Sequence, residues 1–451
     1  MKLRLLAVVI LCLGNCVAQK ASDFETLLSP YVTTDNFSGS ALIEKSGKVV
    51  FGKSYGLANR DARIPNTKNT RFHVASVSMQ FTAAAILRLI DQGSLTLSTH
   101  VSEIVPDISG GDKITIRDLL LQRSGLTDIN GLSDYSDVLA HHQTPTTLVA
   151  KIEDQPLLFD PGSKYLHEEH SAYNLLALII ETKTGLSFAA AMKKLVFLPA
   201  QLSDSFIDDD AFSSGRNVAE GYQPRGVTGI EPAATIHWSA KAGNASVVIS
   251  SADAAKWIRT LFHSAFLKDP TRSNILEITP RVGYGWMRAN SDRFHQTIYY
   301  MNGRAPGFSS FVMYLPKDDV SIVVLSNIYS SATTTIGNDL AAVALGLPYE
   351  AFRAGTLSAE AIKRSTGTFH FGADFYQPNA DLVLFDEGSK DHSALFLRWP
   401  SGDTTPLIPL TPDHFVDRAY WEQVAIERDT TGAPVVLHYG TFQGTFQEVR
   451  K

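Results

Sequence analysis

Phe72-His73-Val74-Ala75-Ser76-Val77-Ser78-Met79-Gln80-Phe81-Thr82-Ala83 is the stretch whose reading decides the fold. Apolar residues run on from it at helical spacing, at Phe81, Ala84, Ile86, Leu87, Leu89 and Ile90, and Gly93 is placed to end the helix. Ser76 stands where that helix begins. A serine there can satisfy backbone donors, or it can attack a carbonyl with the helix N-terminus favouring the oxyanion. The second role needs a base, because a serine hydroxyl is a weak nucleophile near neutral pH.

Upstream, residues 40–44 and 48–53 flank a Lys45-Ser46-Gly47 turn and read as a hairpin. Downstream, residues 173–181 form a strongly apolar helix core stopped by Gly185. Strand character returns at residues 283–287, 309–315 and 320–326, and residues 333–345 read as a further helix. After about residue 352 the texture changes to short alternating segments, such as 381–385, 394–399, 414–416 and 435–439, separated by Gly, Pro, Asp and Thr. That pattern predicts a small antiparallel barrel or sandwich.

The chain has 451 residues, 44% of them hydrophobic, enough for two domains with real cores. A net charge of -6 without a basic block argues against a nucleic-acid partner. Lys2 and Arg4, the apolar run Leu5 to Leu13 and the small residues around Ala18 predict a signal peptide over residues 1–18 and an exported protein. Lipid anchoring at Cys16 is the rival reading, disfavoured by Asn15 where a small residue is expected. The run is too short for a membrane span. Both cysteines, Cys12 and Cys16, fall within this segment, so the expected mature chain has no disulfide.

The segment around Ser76 resembles the active-site helix of serine β-lactamases and penicillin-binding proteins, especially their esterase-like and class C relatives. The likeness continues in order through residues 38–56, Ile114-Thr115-Ile116-Arg117-Asp118-Leu119-Leu120, Ser124-Gly125-Leu126, Pro161-Gly162 and Gly303 to Asn327. It implies an α+β class: an antiparallel sheet built from both chain ends, packed by helices beside a helical subdomain. That domain is expected over residues 25–350, with a small all-β domain over 356–451.

The resemblance also implies a catalytic set that this chain has changed. Ser76 matches the acylated serine, but the lysine expected three residues on is Met79, which offers no proton exchange. Counted from Pro161-Gly162, the Tyr-x-Asn position falls on His167-Glu168-Glu169, with one extra residue before Tyr173. Counted back from Pro306-Gly307-Phe308, the Lys-Thr-Gly or His-x-Gly position falls on Met301-Asn302-Gly303. Loss of one general base typically costs about a hundred- to ten-thousandfold in rate. Loss of several members of one catalytic unit costs about a millionfold.

Replacement bases are therefore sought. His167 with Glu169 as its orienting carboxylate would rebuild a triad with Ser76, unless the carboxylates simply favour the next helix start. Lys241 would supply an amine if buried, and is otherwise a surface lysine. Asn302, Gly303 and Arg304 are the substrate-binding candidates. His167 and His170 lack a third ligand, so no metal and no cofactor are expected. The leading expectation is a serine hydrolase taking a small-molecule or peptide-like ester or amide. The second is a non-catalytic protein that binds a ligand or partner in a cleft made apolar by Met79 and Met301.

Overall fold

The structure is a computed structural model that describes residues 22–166, 169–210, 217–276, 282–388 and 394–447. The expected signal peptide and the candidates His167 and Glu168 lie outside these residues.

Helix α1 (residues 22–33) leads into strands β1 (Gly39–Lys45) and β2 (Lys48–Tyr55). The chain re-enters the same sheet much later, through β3 (Val282–Gly283), β4 (Trp286–Ser291), β5 (Gln296–Ala305), β6 (Phe308–Leu315) and β7 (Val320–Ser326). The order is β3-β4-β5-β6-β7-β1-β2 with every pairing antiparallel. The two ends of this region meet where Gly39 pairs with Ser326 and Lys45 with Val320.

Strands β6 and β7 are buried along their whole length because both sheet faces are covered. Ile322 and Val324 pack with Phe24 and Leu28 of α1 and with Ile336 and Leu340 of α5 (Ala332–Leu345). Val323 and Leu325 join the opposite core, with Trp257, Ile258 and Leu261 of α4 (Ser251–His263). The period-two alternation of a strand thus supplies two cores at once.

Helices α2 (Ser78–Asp91) and α3 (His170–Thr184) belong to that second core. Gly185 ends α3 in left-handed backbone at φ 65°, as its position in the sequence predicts. A small sheet of Arg71–His73, Val247–Ser250 and Phe206–Ile207 fixes the entry to α2. There Val74 N–H donates to Val247 O at 3.1 Å, and Val247 N–H donates to Ser78 Oγ at 3.0 Å.

One expected strand is corrected. Residues 283–287 do not run straight but turn at Tyr284 and Gly285, at φ 56° and 75°. A Cβ on Gly285 would sit 2.3 Å from Gln80 N, so the turn is the means by which the sheet approaches α2.

The C-terminal region is an eight-stranded closed barrel, running from Gly367–Phe371 to Phe442–Gln447, around Phe369, Leu382, Leu397, Phe415 and Leu437. It joins the first region through a buried arginine. Arg418 Nε donates to Asn36 Oδ1 at 2.8 Å, and its Nη atoms donate to Gly226 O at 2.6 Å and Asp35 O at 3.0 Å. Burial lowers its pKa only to about 10, so the guanidinium stays charged at neutral pH. Trp421 packs on Tyr31 beside it, with ring centroids 5.6 Å apart.

Candidate active site

Ser76 occupies the middle of a short 3₁₀ turn, Ala75–Val77, that continues into α2, and it is 5% exposed. The residue before it, Ala75, holds φ 47° although it carries a Cβ and is fully buried. Such backbone costs about 1–2 kcal/mol in an L-residue, and it persists only where its surroundings impose it. The surroundings are visible. Ser310 Oγ donates to Val74 O at 2.7 Å, and β5 passes so close that a Cβ on Gly303 would lie 2.5 Å from Val74 O and 2.9 Å from Ser76 N. Gly303 is therefore held by space: the strand lies against the Ser76 turn too closely for any side chain.

Two further residues in left-handed backbone converge on the same turn. Gln122, at φ 54°, reaches Met79, and Tyr284, at φ 56°, precedes the glycine packed on Met79 and Gln80. Strain gathers at the first turn of α2, where functional sites commonly store it.

The neighbouring base position is sealed. Met79 is fully buried, and its sulfur accepts a weak hydrogen bond from Gln122 Nε2 at 3.7 Å. Gln122 also ties both ends of the displaced motif, since its backbone oxygen accepts from Leu166 N at 3.0 Å and its Oε1 accepts from Glu169 N at 3.2 Å. Glu169 stands at the N-cap of α3, but its side chain makes no cap hydrogen bond; the carboxylate turns inward and accepts from Ser124 Oγ at 2.7 Å and Gly125 N at 3.0 Å. Burial pushes the Glu169 carboxyl up to about 7, against the lowering effect of those hydrogen bonds.

Lys241 is buried rather than on the surface, at 7% exposure. Its turn is pinned by Thr82 Oγ1, which donates to Gly243 O at 2.7 Å, and by Asn174 Nδ2, which donates to Ala242 O at 2.7 Å. The Lys241 Nζ donates to the Tyr135 hydroxyl and lies 4.9 Å from the centroid of that ring. Burial, then the charge of Asp128, raises the Tyr135 pKa. Asp128 in turn pairs with His170 Nδ1 at 3.2 Å. Burial raises the Asp128 pKa, but the His170 hydrogen bond and charge outweigh it and the net shift is downward. His170 is thus a partner of Asp128, and among the described residues no group of three metal-binding side chains occurs.

The remaining candidates lie on β5. Met301 is 2% exposed and Asn302 half-buried. Arg304 is engaged by neighbouring rings and backbone. Its guanidinium lies 4.0 Å from the centroid of Tyr420 and 4.7 Å from that of Tyr329, and Nη1 donates to Ala419 O at 3.2 Å. It therefore contacts the barrel from the strand that abuts Ser76.

Sequence reasoning missed Tyr135, Gln122 and the pair His73–Asp208, in which Nε2 lies 2.9 Å from Asp208 Oδ2. His73 stands in the quoted motif and was readable there. Its partner, 135 residues away, carries no sequence signal of the pairing.

Comparisons with known proteins agree with this geometry. The Beta-lactamase family model matches residues 24–346. The chain is 26% identical over 306 residues to Protein flp of Staphylococcus aureus, covering 64% of this chain but only 59% of that relative's length. It is 27% identical over 317 residues to a putative penicillin-binding protein, PbpX, of Bacillus subtilis, covering 69% and 76% of the two chains. Among solved structures, an octameric penicillin-binding protein homologue from Pyrococcus abyssi shares the fold at TM-score 0.67 and 20% identity, over 94% of this chain and 99% of that one. The chain belongs to the Beta-lactamase family, which supports a function of the serine-hydrolase type.

Proposed function

We propose that this protein is an exported serine hydrolase that forms an acyl-enzyme on Ser76 from an ester or amide, with an altered base arrangement. The observation that carries the reading is the strained turn at Ala75 together with Gly303 pressed against Ser76 N. A chain that had abandoned the nucleophile would gain by relaxing both, and here both are kept. In the acylation step Ser76 Oγ bonds to the carbonyl carbon and gives up its proton, and the leaving alkoxide or amine takes one. Water then cleaves the ester so formed. The altered base is assigned to Lys241 with Tyr135, the buried amine and phenol that one hydrogen bond brings together; burial holds the phenol in its protonated form, so the amine is the member that takes the serine proton. Glu169 is a positioning group for the 122–125 turn, and His167 stays a proposed alternative base.

A fluorophosphonate probe tests this directly. Labelling of wild type that is lost in Ser76→Ala is the expected result; no labelling, or equal labelling of both, overturns the covalent mechanism. Export is tested by sequencing the N-terminus of secreted protein, expected at Gln19.

One observation favours the second reading, a non-catalytic binding protein: Met79 is so packed that Gln122 hydrogen-bonds its sulfur. Met79→Lys separates the two. A faster reaction would mark a decayed enzyme, whereas slower labelling, the expected result, marks a site rebuilt around methionine.

A further inference from the structure

Beside the Ser76 turn lies a cavity of about 750 Å³, within the usual size range of ligand pockets. Its walls continue the two segments that frame the nucleophile. His73 lies three residues before Ser76, while Pro306 and Phe308 follow Gly303.

The charge of this cavity is one-sided. Asp208, Asp210 and Glu220 line it, and among the described residues no lysine or arginine does. Asp208 is completely buried. Burial lowers the pKa of His73 despite Asp208, so the ring adds no fixed positive charge to this wall. Asp210 accepts from Ser239 Oγ and lies 3.1 Å from His142 Nδ1 and 3.2 Å from His237 Nδ1. Burial raises its pKa, but these hydrogen bonds lower it further, which keeps it a carboxylate. Glu220 is exposed and accepts from Asn59 Nδ2 at 2.6 Å.

Two more features turn an acidic hollow into a binding site. Trp238 and Phe308 form an aromatic wall, with ring centroids 5.7 Å apart, and Trp238 stacks on His73 at 3.6 Å. His73 is 4% exposed, and its Nδ1 has no partner among the described residues. An aromatic wall facing carboxylates in a concave site attracts organic cations through the ring quadrupole and through charge.

We infer that this cavity is a subsite for an organic ammonium group, so that the preferred ester or amide carries an amine beside the scissile carbonyl. The word substrate rests on the hydrolase reading; the ammonium site itself does not.

Calorimetric titration of the Ser76→Ala protein reads the cavity without chemistry. Benzylammonium is expected to bind at least tenfold more tightly than benzyl alcohol, its neutral counterpart. Asp210→Asn is expected to erase most of that preference. Because Asp210 also holds Ser239 and two histidines, Glu220→Lys at the exposed rim, which gives up only the side-chain bond from Asn59, serves as a second variant, and it too should remove the preference. Equal binding of the two probes, or a preference that survives both substitutions, overturns the proposal. Failure of fluorophosphonate labelling in wild type would leave this result standing, so the two readings fail separately.

Discussion

The two sides of Ser76 have been kept to different standards. On one side, Ala75 holds left-handed backbone and Gly303 a position with no space for a Cβ, and both border Ser76. On the other, Met79 is sealed by Gln122, the Glu169 carboxylate turns inward to Ser124, and Lys241 is held on the Tyr135 hydroxyl. Backbone geometry that positions a nucleophile is set by sterics and fails with one added methyl group. Proton transfer can be supplied by several side-chain types from several directions. The first kind of constraint therefore admits fewer residues than the second.

The largest expected effect lies on the side of Lys241 and Tyr135. Lys241→Met and Tyr135→Phe should each slow fluorophosphonate labelling of Ser76 by roughly a hundred- to ten-thousandfold. The double variant should be little worse than either single one, because members of one catalytic unit are not additive. Unchanged labelling rates in both would remove the pair from the mechanism.

Glu169 gives the next effect, in stability. Its folded pKa of about 7 is raised above the ordinary 4.5, chiefly by burial. The stability it contributes is thus fully present below about pH 4.5 and is lost as pH rises through about 7. At 1.36 kcal/mol per unit, that swing is about 3 kcal/mol. Glu169→Gln keeps at Oε1 an acceptor for both Gly125 N and Ser124 Oγ, and gives up only the 3.3 Å contact from Ser124 N to the other oxygen. Urea unfolding should show the variant more stable than wild type at pH 8 and nearly equal at pH 4.5. A variant less stable at pH 8 would mean that the carboxylate, and not the acid, is the form the fold requires.

Gly303→Ala probes the constrained side. The new methyl would meet Val74 O, Ser310 Oγ and Ser76 N, all under 3.0 Å. Overpacking of this kind costs about 1–3 kcal/mol. Thermal unfolding should register that loss, and labelling of Ser76 should fall with it as the turn is displaced.

How far the sequence reveals this molecule follows the same division. The hairpin, the buried strands β6 and β7, the α3 stop at Gly185 and the barrel strands were legible, because periodicity and turn residues are local signals. Ser76 and Gly303 were legible through motif order. The turn at Tyr284–Gly285 was not, because its cause is an approach to Gln80, about two hundred residues away in sequence. Nor was the partner of Lys241, since a hydrogen bond to Tyr135 leaves no spacing to read. The inward turn of Glu169 depends on amides at Ser124 and Gly125, which any residue type would offer.

The smallest expected effect is the most direct test of stored strain, and it needs two alanines. Ala84 lies inside α2 and is fully buried, as Ala75 is. Ala84→Gly should cost about 2 kcal/mol, from roughly 1 kcal/mol of helix propensity and about 0.8 kcal/mol for the lost methyl. Ala75→Gly loses a similar methyl and a similar amount of chain restriction, but it releases left-handed backbone worth about 1–2 kcal/mol. It should therefore unfold within about 1 kcal/mol of wild type. The chemistry of the two substitutions is identical, so their difference isolates the conformation at position 75. Equal losses at both positions would show that Ala75 is not strained, and the turn before Ser76 would then say nothing about a nucleophile being held in place.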